Sequence, residues 1–356
     1  MQKIDSQAVT LLRFPMICLV VCIHTNIMGI YCPWLYDLPV FSFFIRLFVD
    51  FFCGMAVPMF FFLSGLLFFR EGTFGRQLYK SKLTKRVRTL LVPFIAWNII
   101  YFLIVLTLQM LHPDFQMLLH KPVSEMTLTD YPYLFWDISQ ITHLPTDQGA
   151  PIVGQFWFLQ CLMLLVLFSP IIWLGIHYLD IGFLVLLAVV DTTQLLPSYP
   201  GVVWYTYFYF SLGAYFSIKR ISPYSVVRRL RPYLLPCAIA MAVVYMLQYS
   251  PTVVGNSIVL LLLFDIAVRC AERGITIPAL LTSATFFLFA SHRLFSAIMT
   301  MVARREIIPI HTELAAFAYY LLGTTMVIGA SVLLYYLMNR FFPTLTSWLT
   351  GGRKNE

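Results

Sequence analysis

The chain has 356 residues, of which 60% are hydrophobic and only 11% charged, with a formal net charge of +8. A water-soluble domain carries about 25% charged residues, so the composition excludes a soluble globular protein of this size. The positive balance reads as anchoring on the cytoplasmic side of a membrane by the positive-inside rule, not as a nucleic-acid surface, and no nucleic-acid partner is expected.

Apolar blocks of roughly 20 residues, enough to cross a bilayer core of about 30 Å, fill most of the chain. They predict about ten transmembrane helices near residues 8–30, 41–69, 89–111, 152–174, 179–197, 201–218, 232–250, 254–270, 279–302 and 314–341. The expected fold is an all-α, polytopic integral membrane protein with a single transmembrane domain over residues 1–356. The first block runs long and no small-residue cleavage pattern follows it, so it is expected to be a span and not a cleavable signal. Four of the cysteines (Cys18, Cys22, Cys161, Cys237) fall inside apolar spans, and no CxxC occurs. They read as small buried hydrophobes, not as a disulfide framework.

The loop charges set the orientation. With a cytoplasmic N-terminus, the basic loop 70–88 (Arg70, Arg76, Lys80, Lys82, Lys85, Arg86, Arg88) and the loop 219–231 (Lys219, Arg220, Arg228, Arg229, Arg231) both fall inside. Arg269, Arg273 and the tail Arg353 and Lys354 follow, so both termini are expected in the cytoplasm. The loop 112–151 falls outside with Asp114, Glu125, Asp130, Asp137 and Asp147 against Lys121 alone. Arg304 and Arg305 are exceptions. The two halves show no matching broken helices, which argues against an inverted-repeat transporter.

Ionisable groups inside spans are costly and mark functional sites by default. Arg13 and His24 share the first block, eleven residues apart. On a helix that spacing is about 16 Å and about three full turns, so both point to one face. A cation at the inner mouth suits the polar or phosphate part of a long donor, and an imidazole deeper in suits its reactive end, since histidine accepts a proton near neutrality. The plainer alternative is that His24 bonds a neighbouring helix and Arg13 snorkels to the interface. Arg46 and Asp50 are spaced to pair with each other, or Asp50 orients His24. Asp265 and Arg269 repeat that spacing as a structural pair. His292, beside Ser291 and Arg293, is a second pocket candidate. Trp157 is either a pocket residue or an interfacial anchor. The basic run 76–88 serves lipid-charge anchoring or forms a platform for a phosphate-rich cytosolic ligand. His112, His120, His143, His177 and His311 lack ligand spacing, and no metal site is expected.

Three segments carry a family resemblance: IDSQAVTLLRFPMICLVVCIHTN, VPMFFFLSGLLFF with Ser64 and Gly65, and KLTKRVRTLLVPFIAWN. Softer matches are GQFWFLQCLMLL around Trp157 and FFLFASHRLF around His292. In order and spacing the chain resembles the acyltransferase-3 family of membrane-bound O-acyltransferases. The resemblance implies about ten spans and transfer of an acyl group, commonly acetyl from acetyl-CoA, to a hydroxyl on an extracytoplasmic or lipid-linked acceptor. It gives Arg13 and His24 the roles of the essential arginine and histidine, with His24 as general base or acyl carrier. It places the basic-loop role on Lys82, Lys85, Arg86 and Arg88, with Lys85-x-x-Arg88 standing where the family has Arg-x-x-Arg. Asp50, Ser64, Trp157 and His292 are the further substrate-pocket candidates. The implied partners are acyl-CoA, a glycan or glycolipid acceptor and the lipid bilayer, with no metal, in a bacterial cytoplasmic membrane. The extra hydrolase-like domain of some relatives is not seen. Tyr131, Tyr133, Trp136 and Trp34 are candidates to stack on sugar rings, or else interfacial belt residues. A polysaccharide or lipid-linked sugar transporter or flippase is the alternative function.

Overall fold

The computed structural model describes residues 3–28, 32–112, 119, 121–143, 149–249 and 252–352. Asp114, His120, Asp147, Arg353 and Lys354 lie outside the described residues. Among those described, the chain is helical, with two isolated bridges and no strand. The helices are α1 (Lys3–His24), α2 (Pro39–Phe68), α3 (Arg76–Leu111), α4 (Gly154–Leu167), α5 (Ser169–Leu179), α6 (Ile181–Thr193), α7 (Trp204–Ile218), α8 (Pro223–Met246), α9 (Val253–Glu272), α10 (Ala279–Arg304), α11 (Glu313–Phe341) and α12 (Pro343–Leu349).

Among the described residues, six helices are long and apolar enough to cross a membrane unaided: α1, α2, α3, α9, α10 and α11. The broken pair α4 and α5 makes a seventh if counted as one span. The other predicted blocks form shorter helices (α6 and α7) or, in α8, a helix whose first turns carry Arg228, Arg229 and Arg231. Each of the ten predicted blocks therefore contains a helix among the described residues, and an integral membrane protein is what these lengths and compositions describe. One expectation needs correcting. The basic stretch 70–88 is not a loop throughout, because from Arg76 it is the opening of α3. After Gly75 no glycine or proline interrupts RQLYKSKLTKR, and its residues are mostly good helix formers.

The helices group into two compact units. The first comprises residues up to Phe74, Pro170–Leu196 and Trp204–Leu333. Within it α2 and α7 cross through facing glycines. A Cβ on Gly65 would lie 1.9 Å from the Phe210 carbonyl oxygen, and one on Gly213 would lie 1.9 Å from that of Phe62. Small residues let two backbones approach this closely, the usual device for packing helices in lipid.

Polar contacts sort to the two ends of this unit. At one end the buried Asp5 of α1 accepts from Ser222 Oγ and from the Tyr224 amide, both at 2.9 Å, so a carboxylate from α1 caps the start of α8. Lys219 at the end of α7 pairs with Asp180 before α6 at 3.0 Å. Asp265 in α9, only 1% exposed, holds Arg231 Nε at 2.8 Å and Arg269 Nε at 2.7 Å, so the Asp265–Arg269 pair is structural and Arg231 completes it. At the other end Glu313 of α11 accepts from the Val40 and Phe41 amides at 3.0 and 2.8 Å, capping α2 as Asp5 caps α8. Thr25 meets Thr324 at 2.7 Å, and Tyr320 donates to the Cys22 carbonyl at 3.0 Å. Carboxylates at helix N-termini satisfy amides that have no intrahelical acceptor.

The second unit comprises Gly75–Ser169, Pro197–Val203 and Leu334–Glu356. Trp97 of α3 donates to the Leu349 carbonyl of α12 at 3.0 Å. α12 then closes on Gly351 and Gly352 with φ of +72° and +66°, a left-handed ending that favours glycine. The buried Asn98 accepts from the Val153 amide at 3.2 Å, and Gln160 donates to the Trp136 carbonyl at 2.7 Å. These bonds tie the connection before α4 onto α3 and α4.

Candidate active site

Of the sequence candidates, the structure brings two together. His24 closes α1, and His292 lies mid-way along α10 with its side chain fully buried. Their ring centroids are 5.1 Å apart and tilted by 34°. A third group joins them. Arg293 Nη1 lies 3.3 Å from His24 Nδ1. A guanidinium only donates, so His24 Nδ1 is the acceptor and the neutral ring carries its proton on Nε2. His292 is held the other way. Its Nδ1 lies 3.0 Å from the Leu288 carbonyl, which only accepts, so Nδ1 carries the proton and Nε2 keeps the lone pair. That Nε2 is buried and has no hydrogen-bond partner. The two imidazoles therefore present opposite faces of the same chemistry, one an N–H and the other a free base.

The remaining candidates lie elsewhere. Arg13 is exposed on α1, eleven residues before His24. Ser64 is half-buried beside Gly65, whose missing side chain admits α7, so the Ser-Gly step serves helix packing at its second residue. Trp157 is half-buried early in α4, in the second unit. Lys82, Lys85, Arg86 and Arg88 follow one another up α3. A groove of ≈ 450 Å³ on that helix is bordered by Lys80, Leu83, Thr84, Val87, Arg88 and Val92, so of the four only Arg88 borders it.

Among the described residues Asp50 makes no hydrogen bond to His24, whose Nδ1 meets Arg293, and no salt bridge with Arg46. Arg46 instead donates to the Tyr245 carbonyl at 3.3 Å and lies over its ring at 5.9 Å. Asp50 lines a cavity of ≈ 330 Å³ in the first unit, with Gly54, Asp191, Tyr205, Tyr209, Tyr245 and Asn256 among its other walls. Neither Arg13, His24, Ser64 nor His292 is among the lining residues. Trp34 donates to the Ile310 carbonyl at 3.3 Å and packs on His311, while Trp136, Tyr131 and Tyr133 are exposed.

Arg293 was within reach of the sequence, being an ionisable residue inside a span. It was passed over because its partner is 269 residues away. Asp191, inside the predicted span 179–197, carried the same signal, whereas Tyr205 and Tyr209 carried none, because helices distant in sequence assemble that cavity.

Two helices of spanning length bring together a buried imidazole, a half-buried one and an exposed guanidinium, an arrangement suited to proton transfer. The acyltransferase-3 family model, described as an acyltransferase domain, matches residues 6–336, and the chain belongs to that family. It is a membrane acyltransferase. No curated protein and no solved structure matches the chain.

Proposed function

We propose that the protein moves an acetyl group from cytosolic acetyl-CoA to a hydroxyl of an extracytoplasmic or lipid-linked glycan, from a bacterial cytoplasmic membrane. The observation that carries this is the His24–Arg293–His292 cluster inside a chain of the acyltransferase family. CoA phosphates are anions, and Lys82, Lys85, Arg86 and Arg88 supply the cations to hold them at the start of α3. Arg13, lower on α1 than His24, takes the polar part of the donor arm.

In the transfer, the acceptor oxygen attacks the thioester carbonyl, the C–S bond breaks, and the hydroxyl proton passes through an imidazole to the CoA thiolate. His24 is the base. Its lone pair is on Nδ1, which Arg293 caps at rest. The acceptor hydroxyl takes over that position, which frees the guanidinium to offset the charge growing on the carbonyl oxygen. A positioned base contributes about 10²–10⁴-fold. In membranes supplied with labelled acetyl-CoA, His24→Ala is therefore expected to abolish most ester formation on envelope glycans while the protein still inserts. Full transfer by that variant would remove His24 from the reaction. Arg88→Ala is expected to weaken acetyl-CoA binding to the purified protein, and unchanged binding would separate the donor site from this helix.

A second assignment of the base is favoured by the unpartnered His292 Nε2. In it His292 takes the acceptor proton while the His24 Nε2–H steadies the carbonyl oxygen. His292→Asn keeps an amide donor for the Leu288 carbonyl and removes the base. Inactivity of that variant, with normal acetyl-CoA binding, selects the second assignment, and retained activity selects the first.

A further inference from the structure

We propose that the cavity around Asp50 and Asp191 is the acceptor site, and that it takes a polyhydroxylated group free of acidic substituents. This rests on the acyl-transfer reading above and adds to it the place and chemistry of the second substrate.

The cavity walls combine the middle of α2, from Asp50 to Pro58, with helix ends that meet at one end of the first unit. Asp191 is near the close of α6 and Tyr245 near that of α8, while Tyr205 and Tyr209 open α7, and Val253 and Asn256 open α9. His24 closes α1 at the same end. The basic residues Lys219, Arg228, Arg229 and Arg231 gather at the opposite end of these helices. If basic ends face the cytoplasm, the cavity opens toward the other side, where a glycan would arrive.

Its chemistry selects among ligands. Neither Asp50 nor Asp191 forms a salt bridge among the described residues, and two such carboxylates repel an anion. The one cation placed beside a wall, Arg46 over the ring of Tyr245, is outnumbered by the two carboxylates, so the CoA phosphates are disfavoured in this cavity. An acyl tail is disfavoured by the carboxylates, the tyrosines and Asn256 in the walls. A metal is disfavoured too, since no group of three acidic, histidine or cysteine side chains gathers among the described residues. Carboxylates that accept pairs of hydroxyl protons, beside aromatic rings that cover C–H faces, are the complement of a sugar or polyol. A volume of ≈ 330 Å³ falls at the small end of the range of ligand pockets, roughly 300–1,000 Å³.

One wall also touches the catalytic helix. Gly54 and Met55 line the cavity, and the Cys53–Met55 segment they belong to packs against α1, which His24 closes. A Cβ placed on Gly54 meets nothing within 4 Å, so this position opens on space that a side chain could fill without displacing the core.

The test uses the purified full chain in nanodiscs, with methyl glucoside, methyl glucosaminide and methyl glucuronide as probes. Binding is read by saturation-transfer NMR, ester formation from labelled acetyl-CoA, and donor affinity by calorimetry. The glucoside and glucosaminide are expected to bind and the glucuronide to bind about tenfold or more weakly. Gly54→Phe is expected to abolish probe binding, and Asp191→Asn to weaken it and relax the discrimination against the glucuronide. Both variants should bind acetyl-CoA as the unaltered protein does. Probe binding unchanged in both variants, or no probe binding by the unaltered protein, overturns the proposal and leaves acyl transfer standing. Probe binding that Gly54→Phe abolishes, in a protein that binds no acetyl-CoA, supports the cavity and sinks the acyl-transfer reading instead.

Discussion

Replacing Arg293 by methionine isolates the contact that organises the two imidazoles. The guanidinium donates to His24 Nδ1 at 3.3 Å, slightly beyond the usual range for an N–H donor. Hydrogen bonds from charged groups contribute about 1.5–3 kcal/mol, and a long one falls at the lower end. Since about 1.4 kcal/mol is a factor of ten, removal should cost roughly tenfold to thirtyfold in turnover. The loss belongs in kcat for acetyl transfer, because Arg293 sets the tautomer and position of the imidazole at rest, offsets charge on the carbonyl oxygen during transfer, and is not assigned to the donor phosphates. Acetyl-CoA affinity should stay the same. Arg293→Lys keeps the charge but not the planar fork, and should recover only part of the rate. The assay is ester formation from labelled acetyl-CoA in nanodiscs, with size-exclusion profiles to confirm folding. Full activity in a well-folded Arg293→Met protein, alongside an inactive His24→Ala protein, would refute the positioning role.

Gly65→Ala puts a methyl 1.9 Å from the Phe210 carbonyl oxygen, so α2 and α7 must part and the yield of folded protein in detergent should collapse. Gly182→Ala, whose Cβ meets nothing within 4 Å, should be neutral or slightly stabilising in the same screen. Asp265→Asn strips the charge that holds Arg231 and Arg269. Breaking a fully buried pair costs roughly 3–5 kcal/mol. With the two arginine side chains 28% and 48% exposed, the cost here should fall below that range, and it is read as a lowered melting temperature. Outside the spans, the Asp130 carboxylate is held below its ordinary range, first by the Thr127 amide and then by Lys121. A carboxylate depressed in the folded state contributes stability above its unfolded pKa of about 3.9 and loses it as pH falls through the folded value. The amide nitrogen shift of Thr127 should therefore hold steady from neutral pH down to about pH 4 and change only below. Asp130→Asn should abolish that transition.

Much of the fold was legible because lipid imposes it. Backbone groups in a bilayer must be satisfied within the segment, so an apolar block of spanning length becomes a helix wherever it occurs. Each of the ten blocks contains a helix among the described residues, though only six, or seven with the bent pair, reach spanning length. The stretch 70–88 was misread because charge was taken as a mark of a loop, whereas RQLYKSKLTKR has the propensity to extend α3 toward the membrane. In the site, Arg13 and His24 stood out through their cost in an apolar segment. What the sequence concealed were partners. His24 was matched with Asp50 because both fall in the outer half of their spans, yet Arg293 is what reaches its ring. Spacing along one helix is visible to pattern reading, but contact between helices set by glycine crossings such as Gly65 and Gly213 is not.

The two carboxylate caps show how the fold and the site are joined. Asp5 fixes the start of α8 against α1, and Glu313 fixes the start of α2 against α11. α8 delivers Tyr245, and α2 delivers Asp50 and Gly54, to the cavity. Each cap is a charged acceptor on amides that have no intrahelical partner, so losing it costs a charge-assisted hydrogen bond. Helices that slide in lipid have no hydrophobic penalty to hold their register. A polar bond at the end of a helix therefore sets the depth at which its side chains sit. For an acyl transfer, whose reacting groups must be placed to within a fraction of an ångström, that depth is a catalytic quantity. Asp5, far along α1 from His24, holds the start of the helix whose far end brings Tyr245 to the Asp50 cavity.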